Sequence, residues 1–187
     1  MLSWRVNRSC CVNPVRSFWE ETAAKLLDGR HVVVVGSPGV GKSSTHPYLL
    51  KLLLQTGRPV VFLKRGKDRG GKYYEFRPKE GGGYDALEHD EDDVRRETIP
   101  ALTNPNAFLL VEPMGQRSPP HFWIKARIAL VCSPNREHYR GMEKTGPDEF
   151  GATTRYFPHW TLDELYAARP FMCDDHGKPI LANKEEV

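Results

Sequence analysis

An α/β fold with a mostly parallel sheet between layers of helix is what this sequence predicts, and three observations predict it. Short apolar runs, Val32–Val35, Ala107–Val111 and Ile128–Cys132, alternate with segments of helical periodicity. The first run feeds straight into a glycine-rich loop that opens a helix, the junction of a βαβ unit. The length of 187 residues, 39% of them hydrophobic, suits one three-layer core and hardly a second domain.

The elements follow in order. Residues 1–16 carry Arg5, Arg8 and Arg16 without an acid or an apolar centre, and are expected to be a disordered leader. Ser17 and Glu20 form a capping box ahead of Trp19, Ala23, Leu26 and Leu27, which share one face of a helix ending near Gly29. Val32–Val35 is a buried strand. The helix after the glycine-rich loop runs to Gly57, a C-cap, and Pro47 inside it predicts a kink or a late start.

Arg58–Lys64 and Lys72–Arg77 read as strands joined around Asp68-Arg69-Gly70-Gly71. Residues 78–93, through Gly81-Gly82-Gly83 and the acidic run from Glu88, read as an exposed loop capping a short helix from about Asp92. Strands at Ala107–Val111, Ile128–Cys132 and Thr154–Phe157 come next, separated by the Ser118-Pro119-Pro120 loop and a charged segment at 136–149. Thr161 to Glu164 opens a last helix by a capping-box pattern. The domain is thus placed at 17–170, with 171–187 a tail or truncated lid.

Chemistry concentrates in Gly36-Ser37-Pro38-Gly39-Val40-Gly41-Lys42-Ser43, which fits the phosphate-loop pattern G-x-x-x-x-G-K-[ST]. Its glycines let successive N–H groups converge on a phosphate, helped by the helix N-terminus. Lys42 is the candidate contact to the β- and γ-phosphates and Ser43 the candidate Mg²⁺ ligand, with Ser44 next in the lining. In a parallel sheet, ligands lie at the C-terminal ends of the strands. There stand Glu112, a candidate Mg²⁺ ligand through water, and the Ser133-Pro134-Asn135 turn, whose side chains suit a sensor of the γ-phosphate. Arg127 and Arg155 are secondary candidates for phosphate contacts, and Trp160 reads as a packing anchor.

Other features exclude classes. The net charge of +3 is too small to argue for nucleic acid, and the basic hairpin around Lys64 and Lys72 reads first as a solvated surface. No apolar run approaches membrane-spanning length. Cys10, Cys11, Cys132 and Cys173 lack regular spacing and fit reduced thiols in an intracellular protein, cytoplasmic or nuclear. Cys173 and His176 make only half of a zinc site. Asp174-Asp175-His176-Gly177 and Asn183-Lys184-Glu185-Glu186 mimic GTPase motifs but crowd into the tail with no strand before them.

The succession VVVVGSPGVGKSS, NAFLLVEP, ALVCSPNREHY and RYFPHWTLDEL resembles the P-loop NTPase module of the Crinkler and retrotransposon hot spot proteins of oomycetes, fungi and trypanosomatids. The resemblance spans residues 17–170. It implies an ATPase-like domain related to the AAA+ and STAND classes, with ATP and Mg²⁺ as ligands and a separate effector domain, often nuclease-like, as partner. Under it Gly36, Gly41, Lys42 and Ser43 form the nucleotide loop, Glu112 is the Walker B acid, and Ser133 or Asn135 is the sensor. It also allows a secreted effector acting in a host cell, although no secretory signal is seen.

Two departures shape the expectation. The family more often has Asp at the position of Glu112, and Pro113 stands where an AAA+ ATPase presents its catalytic glutamate. The chain also ends soon after the helix at Thr161, leaving most of a helical lid absent. Binding of Mg²⁺-ATP with slow hydrolysis is therefore expected. The alternatives are a non-hydrolysing, nucleotide-dependent interaction module or truncated gene fragment, and a small-molecule kinase with an arginine lid at 65–77.

Overall fold

The structure, a computed structural model, describes residues 13–64, 70–112, 123–136, 139, 142 and 152–162. Helix α1 (Asn13–Leu27) leads into β1 (Val32–Val35), and α2 (Lys42–Leu54) leads into β2 (Val60–Lys64). Strands β3 (Lys72–Pro78) and β4 (Tyr84–Asp90) follow, then β5 (Phe108–Glu112), β6 (Arg127–Cys132) and β7 (Thr153–Tyr156). Together they form one seven-stranded sheet in the order β4-β3-β2-β5-β6-β1-β7. Strands β2, β5, β6, β1 and β7 are mutually parallel, whereas β3 and β4 are antiparallel additions at one edge.

Side-chain alternation divides the core into two faces. Val32, Val34, Val60, Phe108, Leu110, Ala129 and Val131 point to the face covered by α1 and α2. Val33, Val35, Val61, Leu63, Leu109, Val111, Ile128 and Leu130 point to the other, covered by Val94, Ile99, Ala101, Leu102 and Met142. Strands buried on both faces are what continuous apolar runs encode. The chain is α/β with a mostly parallel sheet, as expected, but both helices from α1 to α2 lie on one face.

Several boundaries move. Helix α1 starts at Asn13, inside the stretch expected to be a leader, so Ser17 is not a cap. Its hydroxyl donates to Glu21 Oε1 one turn on, at 3.2 Å. The helix ends at Leu27, near Gly29 as expected, and the Gly29 φ of 91° permits the N–H groups of Gly29 and Arg30 to reach the carbonyls of Leu26 and Lys25. Helix α2 starts at Lys42 and includes the exposed Pro47, so there is no late start. The larger correction is β4. Residues 84–90 form an edge strand on β3 rather than a loop, after a turn in which Gly81, Gly82 and Gly83 all take positive φ. Its polar, largely exposed sequence hides the strand, because an edge held by backbone pairing needs no apolar face. The helix expected from Asp92 is a 3-10 turn, Glu91–Asp93, and a second such turn spans Pro100–Thr103.

Residues 1–12, 65–69 and 113–122, most of 137–151 and everything from 163 on lie outside the described residues. With them go the remaining leader, the body of the last helix, the tail, Cys173 and His176.

Candidate functional site

The glycine-rich loop sits at the C-terminal ends of the parallel strands, between β1 and α2. Gly39 and Gly41 adopt φ of 80° and 90°, the left-handed region that glycine takes without strain. Gly36 is required for a different reason: a Cβ there would lie 2.9 Å from Phe157 Cβ and 3.2 Å from Lys42 Cδ. Lys42 Nζ donates to the carbonyls of Gly36 at 2.5 Å and Ser37 at 2.8 Å, folding the ammonium back across its own loop. Ser43, Ser44, Pro38 and Gly39 are exposed, and Val40 is half-buried.

Register brings the neighbouring strand ends to the same level. Val35 pairs with Cys132, and the Gly36 N–H donates to the Cys132 carbonyl at 3.3 Å, so Ser133 emerges beside the start of the loop. Glu112 is the last residue of β5, level with Lys64 of β2 and separated from β1 by β6. Two strand spacings make that lateral gap roughly 9–10 Å. Burial pulls the Lys42 ammonium below the usual lysine range, opposed by Cys132 and Glu112, so the Glu112 carboxylate acts on Lys42 through space. Burial likewise pushes the Cys132 thiol up to about 11, with Lys42 opposing, which leaves it an unreactive protonated thiol near neutral pH. Ser133 and the exposed Asn135 lie at the end of β6, as predicted.

The secondary arginine candidates do not join this group. Arg155 donates to Glu21 at 2.7 Å, to Thr22 and to the Phe18 carbonyl, and lies over the Phe18 ring. Arg127 donates to the carbonyls of Leu26 and Leu27, in the last turn of α1 and at the opposite edge of the sheet. Arg77, the described arginine of the supposed lid, is paired with buried Glu75 near the far end of β3. Lys72 of the basic hairpin is paired with Glu88 and Asp90.

Sequence reasoning missed the support beneath the loop. The Trp19 indole N–H donates to Thr45 Oγ1 at 3.0 Å, and Thr45 Oγ1 donates to the Gly41 carbonyl at 2.9 Å, tying α1 to the first turn of α2. Trp19 also stacks on His46 at 5.7 Å and packs against Phe157 at 5.6 Å. His46 is wholly buried, neither ring nitrogen meets a hydrogen-bond partner among the described residues, and burial pulls its pKa down to about 3. The G-x-x-x-x-G-K-[ST] spacing of the loop gives no hint of these contacts, since Trp19 and Thr45 are 26 positions apart. Trp160 is an anchor, as expected: its indole N–H donates to the Val40 carbonyl at 3.0 Å.

The donor set around the loop fits Mg²⁺ carried by a phosphate ligand. Among the described residues no three His, Cys, Asp or Glu side chains cluster to form an all-protein metal site. One hydroxyl, Ser43, and one carboxylate, Glu112, are hard oxygen donors of the kind that hold Mg²⁺ together with water and substrate phosphates. No described helix is long and apolar enough to cross a membrane. Comparison with known proteins gives no matching family model, no similar curated protein and no similar solved structure.

Proposed function

We propose that this chain binds Mg²⁺-ATP on the Gly36–Ser43 loop and hydrolyses it slowly, as the NTPase module of a Crinkler or retrotransposon hot spot type protein. The finer fold assignment, a three-layer P-loop NTPase of the AAA+ and STAND kind, belongs to the same reading. The observation that carries it is the meeting of three groups at one sheet edge. Lys42 lies across a loop whose Gly41 opens α2 in the left-handed region, and Glu112 ends β5 within electrostatic reach of that lysine. A glycine-opened helix N-terminus, an ammonium and a carboxylate set apart by one strand suit a polyphosphate with its hydrated cation.

Within this reading Lys42 exchanges its loop carbonyls for phosphate oxygens, Ser43 and Glu112 hold Mg²⁺, and Ser133 or Asn135 meets the terminal phosphate. A bound Mg²⁺ would supply charge neutralisation along the phosphate chain. Slow turnover follows because Pro113 offers no base beside Glu112, and Arg77, Arg127 and Arg155 are all engaged elsewhere. The same observations favour a second reading, a nucleotide-dependent interaction module that holds ATP without cleaving it. Of the arginines in the kinase reading's lid, Arg77 is engaged by Glu75, and Arg65 and Arg69 lie outside the described residues. An effector domain or protein partner, and action in the cytoplasm, nucleus or a host cell, come from the family reading alone.

Phosphate release measured on wild type, Lys42→Ala and Glu112→Gln divides the two readings. An ATPase shows a slow release that Glu112→Gln lowers at least tenfold and Lys42→Ala abolishes. Release unaffected by Glu112→Gln removes that residue from the mechanism, and no release at all with intact binding selects the interaction module.

A further inference from the structure

The segment after β7 returns across the phosphate loop and is held there at two points. Phe157 is buried, donates its N–H to the Val35 carbonyl at 2.8 Å, and closes against Gly36. Three residues on, Trp160 bonds the Val40 carbonyl, and its ring covers Gly41, where an added Cβ would lie 3.8 Å from Cζ2 and Nε1. Between these anchors His159 is exposed, with Nε2 3.5 Å from Ser37 Oγ. Ser37 is also the residue whose carbonyl receives Lys42 Nζ. His159 and Lys42 therefore converge on one loop residue, one at its side chain and the other at its backbone.

That convergence locates the imidazole. Lys42 is the motif's contact to the β- and γ-phosphates, so a group that meets its loop partner lies toward the terminal phosphate rather than the base. Because Phe157 and Trp160 already fix the backbone on both sides, His159 can bond a ligand with little further ordering. We propose that His159 is a terminal-phosphate ligand positioned by Phe157 and Trp160, and that it makes the site favour nucleoside triphosphate over diphosphate. This rests on the nucleotide reading above and extends it to a residue that the phosphate-loop pattern does not contain. An imidazole N–H given to a phosphate oxygen is a charge-assisted bond, whose loss costs about tenfold or more in affinity.

Fluorescent ATP and ADP analogues, each with Mg²⁺, are titrated against the full chain as wild type, His159→Ala, His159→Gln and Trp160→Phe. His159→Ala is expected to weaken the triphosphate about tenfold while the diphosphate stays within about twofold. His159→Gln, which keeps an N–H donor, restores most of that loss. Trp160→Phe, which loses the tether but keeps the ring, moves the ratio the same way by a smaller factor. Equal weakening of both nucleotides reduces His159 to a support for Ser37 and overturns the proposal, as does an unchanged triphosphate affinity. Wild type that binds neither analogue overturns the nucleotide reading together with it, whereas wild type that binds both at a ratio indifferent to His159 overturns only the role of His159.

Discussion

The two edges of the parallel sheet use similar residues for opposite ends. At the N-terminal edge, Arg127 closes the carbonyls of Leu26 and Leu27, and the Ile128 N–H finds His31 Nδ1 at 3.0 Å. Burial, and then Arg127, hold His31 below its usual pKa, which keeps the ring neutral and its nitrogen free to accept. The Tyr84 hydroxyl there bonds the carbonyls of Leu54 and Arg58. At the C-terminal edge, among the described residues, Lys42 Nζ bonds the carbonyls of Gly36 and Ser37, while Ser43 and Ser44 face solvent. The first edge closes backbone carbonyls with these side chains; at the second, Lys42 and the exposed Ser43 and Ser44 stand apart from the Trp19–Thr45 and Trp160–Val40 bonds that hold the loop. Substitutions at Arg127, His31 or Tyr84 should therefore change stability without changing affinity, and substitutions at Lys42 or Ser43 should do the reverse.

The core between the edges gives the largest stability effect. Folded His46 has a pKa of about 3, below the ordinary value of 6.5 for the unfolded chain. The unfolded state therefore binds more protons between these values. The His46 contribution is complete above pH 6.5 and is lost as pH falls toward 3, by an amount that reaches on the order of 5 kcal/mol. His46→Leu, which removes two unpartnered nitrogens, should leave stability at pH 7.5 within about 1 kcal/mol and flatten the acid limb of a denaturation series. An acid limb of unchanged slope would mean the ring is not buried in the solution fold.

Gly36→Ala breaks the division between the edges, because the new Cβ meets Phe157 and Lys42 together. A loss of about 1–3 kcal/mol on chemical denaturation is expected, along with weakened nucleotide binding. Loss of only one of the two would show that Phe157 and Lys42 do not share that space. Arg127→Ala should cost about 1–2 kcal/mol through the exposed carbonyls of α1, with nucleotide affinity per folded molecule unchanged. A changed affinity there would collapse the distinction between the edges.

Much of this arrangement was legible because it is local. Val32–Val35, Phe108–Val111 and Ile128–Cys132 announce buried parallel strands by apolar continuity, and the glycine-rich loop is a contiguous pattern. What escaped depends on distant partners. Strand β4 is defined by pairing with β3 rather than by its own polar residues. The contacts of Trp160 with Val40 and of His159 with Ser37 join positions 120 and 122 apart. Arg127 and Arg155 could be placed at strand ends from sequence, but which carbonyls and carboxylates they meet depends on where α1 packs.

Thermal unfolding of wild type and Lys42→Ala, each with and without Mg²⁺-ATP, tests the central claim most directly, since it reads stability and binding in one experiment. Without nucleotide the two should melt within about 2 °C of each other, because among the described residues Lys42 bonds carbonyls of its own loop. At nucleotide about a hundredfold above its Kd, linkage stabilises wild type by about 2.7 kcal/mol, a rise of about 5 °C or more, and leaves Lys42→Ala unmoved. An equal rise in both proteins, or none in either, would rule out nucleotide binding through Lys42.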